Sequence, residues 1–210
     1  MQPLKHLEGR AAHLDADNID TDQVVPARFL RNPRSGGYGG FLFHDLRVAP
    51  DGSPRPDFPL NRPENQGAVI LVAGANFGCG SSREHAVWSL SDAGFRCVIA
   101  ASLGDIFTNN CYKNGVLPVR LEDGTIARLL AEQAKGARFA VDLPAQTVTC
   151  GDATAHFDIA PFWKECLLEG VDDIDLTLRE QARIEAFARE HAARMPWVPL
   201  DMAAWQARRA

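Results

Sequence analysis

Two adjacent hydroxyls and a guanidinium, Ser81-Ser82-Arg83, close a glycine-broken stretch that begins Asn76-Phe77-Gly78-Cys79-Gly80. An apolar run, Ala68 to Ala73, precedes it and reads as a buried strand. A helical pattern follows over about 83–93, with Ala86, Leu90 and Ala93 on one face at i, i+4, i+7. The turn therefore delivers Ser81, Ser82 and Arg83 to the mouth of a strand-to-helix junction. The N–H groups and dipole of a helix start favour negative charge, so the chemistry this place suits is the holding of an anionic small molecule.

Two plainer readings compete. Ser81-x-x-Glu84 is itself a capping box, with Ser81 as N-cap and Glu84 at N3. That reading leaves unexplained Gly78, Gly80, a second serine, and an arginine whose charge opposes the dipole. The two readings are compatible, since one turn can cap a helix and still aim side chains outward. A phosphate loop built on Gly74, Gly78 and Gly80 is disfavoured, because the spacing fits neither dinucleotide nor Walker-type patterns and no lysine is near.

The elements that must position this turn come from a chain of 210 residues, 46% hydrophobic, enough for a sizeable core in one domain with an arm. A net charge of -5 gives no reason to expect nucleic acid or an anionic membrane as partner. No apolar run approaches the roughly 20 residues of a membrane span, and the first residues lack a signal-peptide core. Five cysteines, at 79, 97, 111, 150 and 166, form no C-x-x-C pair. Neither a disulfide scaffold nor a zinc site is expected, and a reducing cytoplasm is the economical location.

The acidic run Asp15 to Asp22 reads as a turn or loop, and 31–63, rich in Gly, Pro and Arg, as mostly long loops. From residue 68 the pattern alternates. Strands are expected at 68–73, 96–101 and 116–119, and helices at 83–93, 105–110 and 124–135, with Gly94 ending the first. This spacing argues for a parallel α/β sheet. Short strands at 139–143, 147–150 and 156–159 then suggest a meander. Thr177-Leu178-Arg179-Glu180 reads as a capping box opening a helix to about Arg194, followed by a tail with Trp197, Met202 and Trp205.

Four stretches carry a resemblance. Asn76 to Ala86 resembles the signature of the mobile swivel domain of the aconitase superfamily, and more closely that of bacterial 3-isopropylmalate dehydratase small subunits. Asp17-Asn18-Ile19-Asp20-Thr21-Asp22 with Val25 to Leu30, Asp57 to Asn61, and Asp105-Ile106-Phe107 with Asn109-Asn110 and Asn114 to Val119 match in order. The similarity covers nearly the whole chain. It implies a three-layer β/β/α swivelling domain over residues 1–210, with a loop-rich insertion at about 31–63 and a C-terminal helix and tail at about 175–210.

The resemblance also implies a reaction. A hydroxyl moves between neighbouring carbons of a dicarboxylic acid by loss and re-addition of water through an alkene. A [4Fe-4S] cluster is expected on a large subunit, not on this chain, whose scattered cysteines lack cluster spacing; Cys79 reads as a packing residue. The large subunit is the implied partner, in a heterodimer or heterotetramer. By resemblance Ser81 is the base, a role serine takes only where positive charge activates it. Ser82 and Arg83 match substrate-binding positions, and Arg83 suits a carboxylate because its two parallel N–H bonds fit one. Arg34, a dozen residues past Asp22, falls where the superfamily holds a second carboxylate, with Arg28 and Arg31 as alternatives. Phe29 and Leu30 fall where the family reads the substrate's side group, though either suits a core. Asp20 and Asp22 suit pairing with the partner or shaping of the turn. Rival readings are a sister hydro-lyase acting on another substituted malate, maleate or homoaconitate-type acid, and a non-catalytic assembly module of the same fold.

Overall fold

The computed structural model describes residues 1–195, so Trp197, Met202 and Trp205 lie outside the described residues. In chain order the strands are β1 (His6–Gly9), β2 (Ala11–Leu14), β3 (Ile70–Ala73), β4 (Cys97–Ala100), β5 (Leu117–Arg120), β6 (Phe139–Asp142), β7 (Thr147–Cys150) and β8 (Ala153–His156). The helices are α1 (Thr21–Val24), α2 (His44–Arg47), α3 (Glu84–Asp92), α4 (Asp105–Lys113), α5 (Asp123–Ala134), α6 (Pro161–Glu169), α7 (Asp173–Arg179) and α8 (Gln181–Arg194). Strands β2-β3-β4-β5 form a parallel sheet, and β1-β6-β7-β8 an antiparallel one.

Period-2 alternation sorts the parallel sheet into two faces. Ala12, Leu14, Leu71, Ala73, Val98 and Ala100 join one core with Ala86, Val87 and Leu90 of α3 and Phe107 and Cys111 of α4. Ala11, Ile70, Val72, Cys97, Ile99, Leu117 and Val119 join a second core with Phe139, Val141, Val148 and Cys150 of the antiparallel sheet and Ile126 and Leu129 of α5. Helix, parallel sheet and antiparallel sheet thus stack as the expected β/β/α layers. Near-continuous apolar strands are what a sheet buried on both faces requires.

The 31–63 stretch is loop-like as read, but built around a core. Tyr38, Leu42 and Phe43 are fully buried. The Tyr38 hydroxyl donates to the Asn32 carbonyl oxygen (2.6 Å) and lies 3.1 Å from that of Phe29, and the Tyr38 amide donates to the Asp92 carboxylate at 2.8 Å. Gly39 lies against the end of α3, where an added Cβ would meet the Asp92 carbonyl oxygen at 2.8 Å.

Several boundaries differ from the sequence reading. The 15–22 run holds a helix start, because Asp20 caps α1 in a capping box with Gln23. The third meander strand begins at Ala153, because a tight turn at Gly151 (φ +54°) brings the chain back sooner. Helix α6, with Pro161 at its first turn, is an element beyond those expected from the sequence. The box expected at Thr177–Glu180 forms instead at Asp172, whose carboxylate accepts from the amides of Ile174 and Asp175, each at 2.9 Å. Thr177 bonds back to the Asp173 carbonyl oxygen inside α7, and α8 starts separately after Glu180. The chain divides into a unit of Met1–Val171 and a unit of Asp172–Ala210, the latter holding α7 and α8.

Candidate active site

All four parallel strands end on one edge of their sheet, and the segments leaving β2, β3 and β4 meet there. This is the edge where open α/β sheets place ligands. The turn after β3 is stitched on both sides. Toward the β2 side, the Asn18 amide donates to the Ala75 carbonyl oxygen (2.8 Å), Gly78 to Ile19 (2.7 Å) and Thr21 to Cys79 (2.9 Å). Toward the β4 side, the Phe77 amide donates to the Ser102 carbonyl oxygen (3.1 Å) and Gly104 to Phe77 (2.9 Å). Three of the four stretches singled out in the sequence thereby come together. Gly78 is the tightest point, with φ +73° and the Phe107 ring where a Cβ would stand.

Ser81 and Ser82 stand exposed at the end of this turn. The Thr21 hydroxyl donates to the Ser81 carbonyl oxygen at 3.1 Å, fixing the backbone while leaving the serine side chain outward. The capping box expected at Ser81 does not form. Arg83, with extended backbone, occupies the N-cap position of α3, which carries no side-chain cap. The Glu84 carboxylate turns instead to the Asn114 side chain, 2.8 Å away. This frees both serine hydroxyls from helix capping.

Three of the four candidate arginines are engaged. Arg83 is only 17% exposed and pairs with Asp22, so the acidic residue weighed as a turn-former or partner contact holds the chain's own guanidinium. Arg34 lies with its guanidinium 4.7 Å from the Trp88 ring centroid, 3.4 Å from the Asn114 oxygen and 3.8 Å from the Asp92 carboxylate. Arg28 pairs with Asp45 and lies over Phe29, whose ring stacks on Phe41 at 4.3 Å. Phe29 and Leu30 are both partly buried against the core. Arg31 is exposed. Trp88 and Asp92 belong to none of the motifs, yet Glu84, Trp88 and Asp92 recur at i, i+4, i+8, and that stripe beside the apolar face of α3 is the signal the sequence offers.

The family profile described as Aconitase C-terminal domain matches residues 1–124. The profile described as LeuD_N matches 127–161, and one for the C-terminal domain of the 3-isopropylmalate dehydratase small subunit matches 173–201. A 3-isopropylmalate dehydratase small subunit from Anaeromyxobacter dehalogenans (strain 2CP-C) is 55% identical over 89% of this chain and 97% of its own. The chain belongs to the 3-isopropylmalate dehydratase small-subunit family. A member from Rhodopseudomonas palustris (strain BisA53) is 48% identical over 94% of this chain and all of its own. The crystal structure of a 3-isopropylmalate dehydratase from Methanocaldococcus jannaschii superposes with a TM-score of 0.63 at 25% identity, covering 86% of this chain and 99% of that one.

Within this family member, the described residues contain no group of three or more His, Cys, Asp or Glu side chains placed to hold a metal. Cys97 and Cys111 are buried and their thiols are pushed up by burial, the reverse of what a thiolate ligand needs. These residues do not fit an iron–sulfur cluster. No helix among the described residues is long and apolar enough to cross a membrane.

Asp45 offers a pH test of the Arg28 contact. The Arg28 hydrogen bond holds its carboxyl down at about 2. A depressed carboxylate stabilises the fold above its unfolded pKa and loses that contribution as pH falls through the folded value. Both side chains are about half exposed, so the contribution is small. Asp45→Asn should lower the melting temperature by about 2 °C or less near pH 7. The gap between variant and parent should close as pH drops from about 4 to about 2. A gap that persists at pH 2 would rule out the ion pair as its cause.

Proposed function

We propose that this chain is the small subunit of a 3-isopropylmalate dehydratase, and that it contributes the proton-handling and carboxylate-binding half of a shared active site. The reaction interconverts 2- and 3-isopropylmalate through 2-isopropylmaleate in leucine biosynthesis. The observation that carries this reading is the convergence of the 17–22, 74–83 and 101–105 segments at one sheet edge, with Ser81 and Ser82 outward and Arg83 behind them.

Removing a proton alpha to a carboxylate needs a base and a stabiliser for the charge that builds on that carboxylate. Ser81 is the base in this reading, and Arg83 clamps the carboxylate with two parallel bonds. A substrate carboxylate would replace Asp22 on Arg83. Arg34 is favoured over Arg28 and Arg31 for the second carboxylate. It alone of the three is linked, through Asn114, to Glu84 at the start of α3, while Arg28 is committed to Asp45. Phe29 and Leu30, with edges left exposed, receive the isopropyl group.

Ser81 and Ser82 are exposed, and a hollow of about 610 Å³ lies at the other end of α3, lined by Gly37, Gly40, Arg47 and Asp92. Exposed hydroxyls of this kind suit a site completed by a second chain. The large subunit is that chain, and a [4Fe-4S] cluster belongs to it in this reading. Heterodimers or pairs of heterodimers would both satisfy the surface, in the cytoplasm.

Mixing the purified chain with its large subunit and following the alkene by ultraviolet absorbance tests the proposal. Turnover should require both chains. In a panel of 2-substituted malates, isopropylmalate should have the highest kcat/KM. A preference for citrate-sized or homoaconitate-type acids would reassign the chain to a sister hydro-lyase. Turnover by the large subunit alone at the full rate would make this chain a non-catalytic module.

A further inference from the structure

Asn114 sits at the C-terminus of α4, in the turn closed by Gly115 (φ +73°). A turn residue needs no particular side-chain partner, yet this amide uses its whole capacity. Its oxygen accepts from the Trp88 indole N–H at 3.1 Å and from Arg34 at 3.4 Å. Its nitrogen donates to the Glu84 carboxylate at 2.8 Å and to the Asn110 carbonyl oxygen at 2.9 Å. A side-chain amide has two N–H donors and two acceptor lone pairs, so nothing is left over. The partners also fix which way the amide points, since two donors lie on one side and two acceptors on the other.

The partners lie 30, 26 and 80 residues away in sequence. They are the first residue of α3, its second turn, and the loop that carries Arg34. Glu84 directly follows Arg83. One side chain therefore spans the two arms assigned above to the substrate's two carboxylates. The bond to Arg34 is the longest of the four, and the Arg34–Asp92 pair is longer still at 3.8 Å. Arg34 is thus placed and not locked, which suits a group that must adjust to an incoming anion.

We propose that Asn114 is a positioning residue for substrate binding: it sets the separation of Arg34 from Arg83 by bridging Arg34 to Glu84. The proposal rests on the assignment of those two arginines to the substrate carboxylates. Asparagine is specifically suited. Aspartate would keep the acceptors for Trp88 and Arg34 but turn a second carboxylate toward Glu84, and alanine would lose all four bonds.

The test uses the enzyme assembled with its large subunit and isopropylmalate as probe. Asn114→Ala should raise KM roughly tenfold, in keeping with the loss of hydrogen bonds to charged groups, while kcat stays within about a factor of two. Asn114→Ala combined with Arg34→Ala should be no worse than Arg34→Ala alone, because the first acts through the second. Asn114→Asp should also raise KM. Glu84→Gln added to it should recover most of the loss, since the new amide donates to the new carboxylate. That swap keeps the test alive if the alanine variant folds poorly.

Multiplicative effects of Asn114→Ala and Arg34→Ala would overturn the proposal. So would an unchanged KM in Asn114→Ala alongside a raised one in Arg34→Ala. An unchanged KM in both Arg34→Ala and Arg83→Lys would instead remove the carboxylate assignment, and the positioning role with it.

Discussion

Ser81→Ala should lower kcat of the assembled enzyme about a thousandfold, within the usual 10²–10⁴ contribution of a positioned base. The hydroxyl is exposed, its own carbonyl oxygen is held by Thr21, and the capping role that would have occupied it is unfilled. Removing one exposed oxygen atom leaves the stitched turn intact. Affinity for the large subunit and the melting temperature should therefore stay near those of the parent. Stopped-flow measurement of alkene formation, beside a titration of subunit assembly, separates the two effects. Turnover equal to the parent's would end the assignment of Ser81 as base. A matching loss of assembly would make it an interface residue.

Gly78→Ala should destabilise the chain by about 3 kcal/mol, combining left-handed backbone strain with overpacking. At this chain length that is a fall of roughly 10 °C in melting temperature. The residue has φ +73°, and an added Cβ would stand 2.3 Å from Cγ of the fully packed Phe107 ring. Gly80 is the internal control. Its φ is +94°, but the nearest atom to an added Cβ is 3.4 Å away, so Gly80→Ala should cost only the strain, about 1 kcal/mol. Thermal melts of the two variants decide the matter. Equal losses would mean that Phe107 can yield, and that close packing is not why position 78 lacks a side chain.

These two cases mark what was legible in the chain. Residue types at 76–86 announced a strand-to-helix turn, and apolar runs with glycine stops located β3, α3, β4, α4 and α5. Local patterns suffice for such elements because each is held by its own periodicity. The antiparallel partnership of β1 with β6 was not legible, because it joins His6–Gly9 to Phe139–Asp142 across most of the sequence. The capping boxes at Ser81 and Thr177 went wrong for a related reason. Glu84 found a better partner in Asn114, and Asp172 offered a stronger cap one turn earlier. Arg34 was reachable only through a resemblance; of its neighbours, Asn114 lies in a stretch that carries that resemblance but with no side-chain role attached, and Trp88 and Asp92 lie in none of the motifs. Those contacts are tertiary, between loops and helices 26 to 80 residues apart.

The hydrogen bonding of the two arms has a consequence for how such a site can change over time. In the 74–83 turn, the amides of Ala75, Asn76, Phe77 and Gly78 are spent on distant segments, at Asp17, Ser102 and Ile19. Those of the 29–37 segment close on residues three positions earlier: Phe29 on Pro26, Leu30 on Ala27, Asn32 on Phe29 and Gly37 on Arg34. The first is welded into the frame; the second is a cassette, pinned at its far end by Tyr38. On the proposed assignment of Phe29 and Leu30 to the substrate's tail and Ser81 to the proton, selectivity can drift by rewriting the cassette without disturbing the frame.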